Sequence, residues 1–187
     1  MTTITTQLYS YKELSPEAQA RVITNKIRDA ENDECLLEFT SQEMLDSLKA
    51  VCEACNLRLV DYSFGSYCQN WKVKVANYYV KDLEGNRALA WFLRVLIDNG
   101  YARPKHFKDM EFPGVCGFTG VCFDEDIVEC VWKELLDGRT VRKAFDQVAK
   151  MFCDTLENEY AYLTSEECIM DYLDEDADIY TEEGEEF

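Results

Sequence analysis

Beyond Lys150 the chain has no lysine, arginine or histidine, so its last 37 residues carry no positive side chain. Nucleic acids and membrane surfaces are anionic and need cations opposite them, so this end is excluded from contacting either. Histidine is almost absent. His106 is the only one, and no serine or cysteine nucleophile can be assigned to it, so no catalytic residue is named and no enzymatic activity is expected. No apolar run approaches the ~20 residues that span a bilayer. The opening Met1-Thr-Thr-Ile-Thr-Thr lacks the basic and apolar parts of a signal peptide. These absences lead us to expect a soluble, cytoplasmic protein without membrane contact.

What is present is acid. Of the formal net charge of −18, residues 1–150 contribute −4 and the last 37 contribute −14. The fourteen carboxylates are interleaved with Phe152, Tyr160, Tyr162, Leu163, Ile169, Tyr172 and Leu173, which makes residues 151–187 a folded acidic face and not a simple tail. Such a face attracts basic protein surfaces and can occupy a site that normally holds phosphates. With 187 residues and 47% hydrophobic content, the chain is long enough to bury a core as one domain. The nine cysteines are odd in number and scattered, as expected of reduced thiols packed as small hydrophobes.

Local punctuation predicts the elements. Ser15 as N-cap and Pro16 at the first helical position open a helix over 16–31, with Ala18, Val22, Ile23 and Ile27 as its apolar stripe. Thr40 with Glu43 reads as a capping box for a second helix ending near Asn56. Residues 57–64, 70–80 and 115–123 alternate as strands do. Arg87 to Asn99 is apolar almost all round and is expected to be a central buried helix ended by Gly100. Residues 101–114 hold two of the three prolines and read as an irregular connection. Asp124 is placed as the cap of a helix to Leu136, Thr140 as the cap of a longer one to about Leu163, and Thr164 with Glu167 as a box opening a short helix to about Leu173. A small hairpin closes the chain from Asp178. The sum is an α+β fold: a single domain with a small antiparallel sheet covered by about five to six helices.

Three motifs have duller readings that outweigh their functional ones. Cys52-Glu-Ala-Cys55 has redox or zinc spacing, but it lies in the last turn of its helix, where the dipole disfavours a thiolate. No second pair or histidine completes four ligands, although Cys116 and Cys122 could in principle supply two. Asp174, Asp176, Asp178, Tyr180, Glu182 and Glu185 occupy positions 1, 3, 5, 7, 9 and 12 of a calcium loop. Position six is Ile179, however, where the tight turn needs glycine, and no exiting helix follows. The glycines of 113–120 lack the Lys-Ser/Thr ending of a phosphate loop and precede Asp124-Glu-Asp126, so turn geometry accounts for them better. No metal or cofactor is expected.

Glu159 to Gly184 resembles the carboxy-terminal signature of a family of small acidic proteins encoded by tailed phages and prophages, sometimes labelled antitoxin-like. Tyr11-Lys-Glu-Leu-Ser-Pro-Glu-Ala18 and Tyr62-Ser-Phe-Gly-Ser-Tyr-Cys-Gln69 are similar to the same family's opening and central segments. Asn70-Trp-Lys-Val-Lys-Val75 departs from its glycine- and aspartate-rich continuation. The resemblance implies a bacterial cytoplasm and a mobile element, and it brings no catalytic residues.

In that setting the charge suggests an acidic inhibitor of a host defence or nucleic-acid-handling protein, of the anti-CRISPR or anti-restriction type. Fourteen carboxylates match the charge on roughly 24 Å of duplex, at one charge per ~1.7 Å. Glu157, Glu159, Glu166, Glu167, Asp171, Asp174, Glu175, Asp176 and Asp178 would stand in for phosphates, with Tyr162, Tyr172 or Tyr180 as anchors. The expected partner is a host protein with a basic, nucleic-acid-binding surface, and no nucleic acid is bound directly. The alternatives are an antitoxin or other module neutralising one basic partner, and an acidic face that serves solubility only.

Overall fold

The computed structural model describes residues 7–58, 80–100, 118–120, 123–175 and 178–187, with Asp174 described in its backbone alone. It is mainly helical. In chain order the elements are β1 (Tyr9–Ser10), a short 3-10 turn (Tyr11–Glu13), α1 (Pro16–Glu31), α2 (Glu38–Ala54), α3 (Gly85–Asp98), α4 (Phe123–Leu136), α5 (Val141–Leu163), α6 (Glu166–Glu175) and β2 (Ile179–Tyr180). They group into two compact units, one of residues 1–37 with 158–187 and one of residues 38–157.

In the larger unit, α4 packs on both α2 and α3. Met44, Leu48, Val51, Phe92, Leu96, Ile127, Val131, Leu135, Phe145 and Phe152 are fully buried, the last in an edge-to-face pair with Phe123 at 6.2 Å. The expected inward set of α5, Val141, Phe145, Val148, Phe152 and Leu156, is buried throughout. Thr140 caps that helix as expected, its Oγ1 accepting from Lys143 N–H at 3.3 Å. The carbonyls of Leu83 and Lys81 take the next two orphan donors, Val141 and Arg142, both at 3.0 Å.

The end of α2 falls where the sequence placed it, for a specific reason. Asn56 adopts φ 51°, Leu57 N–H reaches Cys52 C=O at 2.7 Å and Asn56 N–H reaches Glu53 C=O at 2.9 Å. That pair of bonds is a Schellman cap, and Leu57 is buried beside it. Gly138 at φ +78° ends α4 in the same way.

Several expectations are corrected. Helix α2 begins at Glu38, so Thr40 lies inside it and is no cap. Helix α3 is amphipathic and not buried all round, since Ala88, Phe92, Leu93 and Leu96 are buried but Ala90 is exposed. At the start of α6 the capping oxygen belongs to Ser165, which accepts from Cys168 N–H at 3.2 Å, while Thr164 Oγ1 turns back to donate to Tyr160 C=O. Phe123, placed in a strand by its alternation, opens α4. Asp124 does not cap that helix. Its buried carboxylate accepts from the N–H groups of Phe118 and Thr119 at 2.8 and 2.6 Å and from Thr119 Oγ1, which also meets Ser47 Oγ at 3.1 Å. The backbone donors that an anion would need at 118–119 are therefore already taken. The strands expected at 57–64 and 70–80 lie almost entirely outside the described residues.

Among the described residues the sheet is a two-strand antiparallel ladder, with Tyr9 opposite Tyr180 and Ser10 opposite Ile179. It belongs to the smaller unit, where α1 packs on α6. Leu14, Ala18, Val22, Ile169, Leu173 and Tyr180 form its core, with Tyr9, Tyr11, Ile23 and Ile27 at the edge. Ser15 Oγ accepts from Ala18 N–H at 3.2 Å and Pro16 is the first residue of α1, as the sequence predicted. The terminal hairpin also forms. Thr181 and Glu185 pair at 2.8 Å, Gly184 N–H reaches Thr181 C=O, and Phe187 N–H reaches Ile179 C=O at 3.0 Å.

Gly184 sets how closely this hairpin lies on α1. Its φ is +83°, and a Cβ there would sit 2.9 Å from the Ala18 carbonyl oxygen and 3.1 Å from a Val22 methyl. Gly138 shares the positive φ but has open space around it. Gly184→Ala is therefore expected to cost about 3 kcal/mol, combining left-handed strain with a backbone clash. Gly138→Ala is expected to cost about 1 kcal/mol from strain alone. Urea unfolding of both variants checks this, and equal losses would contradict the close approach.

Candidate functional site

The acidic segment folds around one lysine of α1. Ala18, Val22 and Lys26 follow one another at four-residue spacing, so the helix carries Lys26 on the face that buries the two apolar residues. There Lys26 Nζ donates to Asp178 Oδ2 at 3.0 Å and to Glu186 Oε2 at 2.8 Å, and lies 5.8 Å from the centre of the Tyr172 ring. Its side chain is 21% exposed. Burial opposes the ammonium charge, but the bonds from Glu186 and Asp178 outweigh it and hold Lys26 above its usual value. One turn earlier, Arg21 Nε donates to Glu183 C=O at 2.9 Å. The segment without cations thus takes its counter-charge from a helix some 150 residues earlier in the chain.

The residues expected to bind a partner are divided by this arrangement. Tyr180 is corrected: only 1% of it is exposed, inside the core of the smaller unit, so its ring is no anchor for a partner. Asp178 is half-buried and paired with Lys26. Asp176 and the side chain of Asp174 lie outside the described residues. Glu157 groups with the larger unit and Glu159 is half-buried.

What the structure brings together is α6. Its inward residues are Ile169 and Leu173, and Glu166, Glu167, Asp171 and Glu175 are exposed. Glu167, Asp171 and Glu175 stand four residues apart and so form one stripe, with ~6 Å between successive charges along the axis. Tyr172 is 53% exposed, Met170 44% and Tyr162 52%. The Tyr162 hydroxyl is pushed above its usual value first by Cys168 and then, more weakly, by desolvation and by Asp171. On the hairpin, Ile179 and Phe187 are also exposed and are joined by a backbone hydrogen bond.

Like charges four residues apart repel along the stripe, and Glu175 stands in the last turn of α6, where the dipole favours a cation and no basic residue is present, whereas Glu167 in the first turn is favoured by it. The sequence reading missed Lys26, Met170, Ile179 and Phe187. The signal for Lys26 was available, since a charged residue in register with Ala18 and Val22 must find partners where it points. The exposure of the other three depends on how the hairpin and α6 dock.

Of the remaining motifs, the Cys52–Cys55 pair is packed in the core, and Cys116 and Cys122 lie outside the described residues. Burial pushes the Cys52 thiol up to about 12, and burial together with Cys52 pushes Cys55 up further, so neither supplies a thiolate near neutrality. The stretch with calcium-loop spacing contains a strand and a hairpin, with Asp178 held by Lys26. Among the described residues no group of three or more histidine, cysteine or carboxylate side chains is gathered to hold a metal. No described helix is long and apolar enough to cross a membrane.

The Lys26 cluster has a pH signature. Burial first, then Asp178 and Glu186, push the Tyr180 phenol up to about 12, although Lys26 pulls the other way. Both Tyr180 and Lys26 hold protons more tightly when folded than when unfolded. Their stabilisation is present below about pH 10, the ordinary range of both groups, and is lost as pH rises through the folded values. An alkaline titration followed by tyrosinate absorbance is expected to show a late step near pH 12 that Tyr180→Phe removes. Absence of that step, or its survival in the variant, would place Tyr180 outside the core. Compared with known protein families, curated proteins and solved structures, the chain matches none at a significant level.

Proposed function

We propose that the protein is an acidic, protein-binding inhibitor that lays the α6 face on the basic, nucleic-acid-binding surface of a host protein. In the setting implied by the phage and prophage resemblance, that target is a defence or nucleic-acid-handling protein. The observation that carries this reading is the Glu167–Asp171–Glu175 stripe, exposed on a helix whose last turn has no cation and flanked by exposed Tyr172 and Met170. Glu175 kept at the end of the helix that the dipole disfavours, in a row of like charges that repel, points to a purpose other than folding. A coat selected for solubility would spread its charge and needs no exposed aromatic rings within it.

Recognition would combine two terms. Carboxylates on the stripe match a cationic groove and speed encounter, which is sensitive to salt. Tyr162, Tyr172 and Met170 supply area that excludes water once the surfaces meet. Fewer carboxylates take part than the full fourteen, because Asp178 and Glu186 are already paired with Lys26. The mimicked length of duplex is correspondingly shorter.

The test is a pull-down from bacterial extract at low salt, eluted by rising salt, with the native chain and with Glu167→Gln/Asp171→Asn/Glu175→Gln. A nucleic-acid-handling protein that elutes as salt rises is expected, with retention by the triple variant reduced about ten-fold or more. The same variant should stay within about 1 kcal/mol of the native chain in stability, because relief of repulsion within α6 and of Glu175 at its last turn offsets the loss of Glu167 from the first turn. Unchanged retention by the variant rejects the reading. A single small partner that resists salt would instead favour an antitoxin, and an empty eluate would favour solubility alone.

A further inference from the structure

Lys26 occupies a seat suited to the same chemistry a basic partner would bring. Two carboxylate oxygens, from Asp178 and Glu186, and the face of Tyr172 converge on one ammonium at 3.0, 2.8 and 5.8 Å. Asp178 comes from the residue just before β2, Glu186 from the bridge to Tyr180 beyond the hairpin turn, and Tyr172 from α6. Tyr172 and α6 also form the proposed binding face, so one residue of α1 meets both the hairpin and that face.

Resting on the reading above, we propose that Lys26 is an internal counter-ion that keeps part of the acidic face closed, and that a lysine of a basic partner displaces it. The competition is physically matched. A partner's primary ammonium makes the same hydrogen bonds and the same contact with the ring, so the exchange costs little in the number of bonds formed. The seat is partly open, with Glu186 57% exposed and Lys26 21% exposed, so an incoming side chain can reach the carboxylates before Lys26 leaves. The hairpin does not depend on Lys26 alone, because Tyr180 remains buried and Gly184 stays packed on Ala18. The displaced ammonium moves into solvent, and no bond is made or broken covalently. The consequence is selectivity: a weakly basic surface does not repay the loss of the internal pair, whereas a dense run of lysines does.

The probe is a short oligolysine peptide titrated into the full chain at low salt, with the Lys26 ammonium followed by nitrogen-detected NMR. Hydrogen bonds to two carboxylates protect its protons from exchange, and that protection is expected to disappear as peptide binds. Lys26→Met and Lys26→Gln are each expected to bind the peptide about three- to five-fold more tightly than the native chain, the worth of releasing an exposed pair. Lys143→Met, which changes net charge equally at an exposed site of the other unit, is expected to change binding less than either. If the peptide binds, and is weakened by the triple α6 variant, while the Lys26 signal stays protected, the counter-ion role is overturned and the binding face survives. If Lys143→Met tightens binding as much as Lys26→Met, net charge is the cause and the proposal again fails. If the peptide does not bind at low salt, the binding face itself is rejected. Should Lys26→Met detach the hairpin, seen as loss of the late Tyr180 titration, the signal from the native chain decides alone.

Discussion

A chain end with fourteen carboxylates and no cation has to take any counter-charge from elsewhere in the chain, and in the described ion pairs that charge comes from α1. Lys26 ties Asp178 and Glu186, on either side of the hairpin turn, to one point, and Arg21 holds the Glu183 carbonyl between them. Around this pairing the apolar contacts close: Tyr180 fills the space between α1 and α6, and Gly184 lets the turn rest on the Ala18 carbonyl. Exposed ion pairs contribute little by themselves. Lys26 and Asp178 are only partly exposed, so their pairing is screened less than one on the open surface, while Glu186 stays accessible to water.

The same demand for paired polar groups shapes the larger unit. Helix ends there are closed by Schellman bonds at Asn56 and Gly138 and by the carbonyls of Lys81 and Leu83 at the start of α5. The buried carboxylate of Asp124 is tolerated because three donors from residues 118–119 bond to it, and the backbone donors of those two residues are thereby occupied. A position chosen for its capping chemistry therefore serves the loop before the helix instead.

The acidic helix α6 runs against this economy. Its stripe is in no described ion pair and ends on Glu175, which opposes the helix dipole, and the exposed rings of the helix are the reverse of what solubility requires. Part of this was legible in sequence: the concentration of acid after Lys150, the presence of Tyr162 and Tyr172 within it, and the four-residue spacing of Glu167, Asp171 and Glu175. The loss of Tyr180 and Asp178 from the available face was not, because alternation in a two-residue strand does not say which side is covered.

Elements closed by local bonds were determined by the sequence itself. Ser15-Pro16 began α1, Thr140 began α5, Asn56 and Gly138 ended their helices, and the hairpin formed about Gly184, each because the required donor, acceptor or positive φ lies within a few residues. Where two neighbouring side chains could both cap, as with Thr164 and Ser165, the sequence alone did not choose, and the bond forms to Ser165. Which carboxylates are neutralised, which tyrosine is buried and which is presented were decided by tertiary structure alone. Those outcomes depend on Lys26 and Ala18 meeting residues 178–186, and electrostatic and steric contacts across that separation leave no periodic trace in the chain.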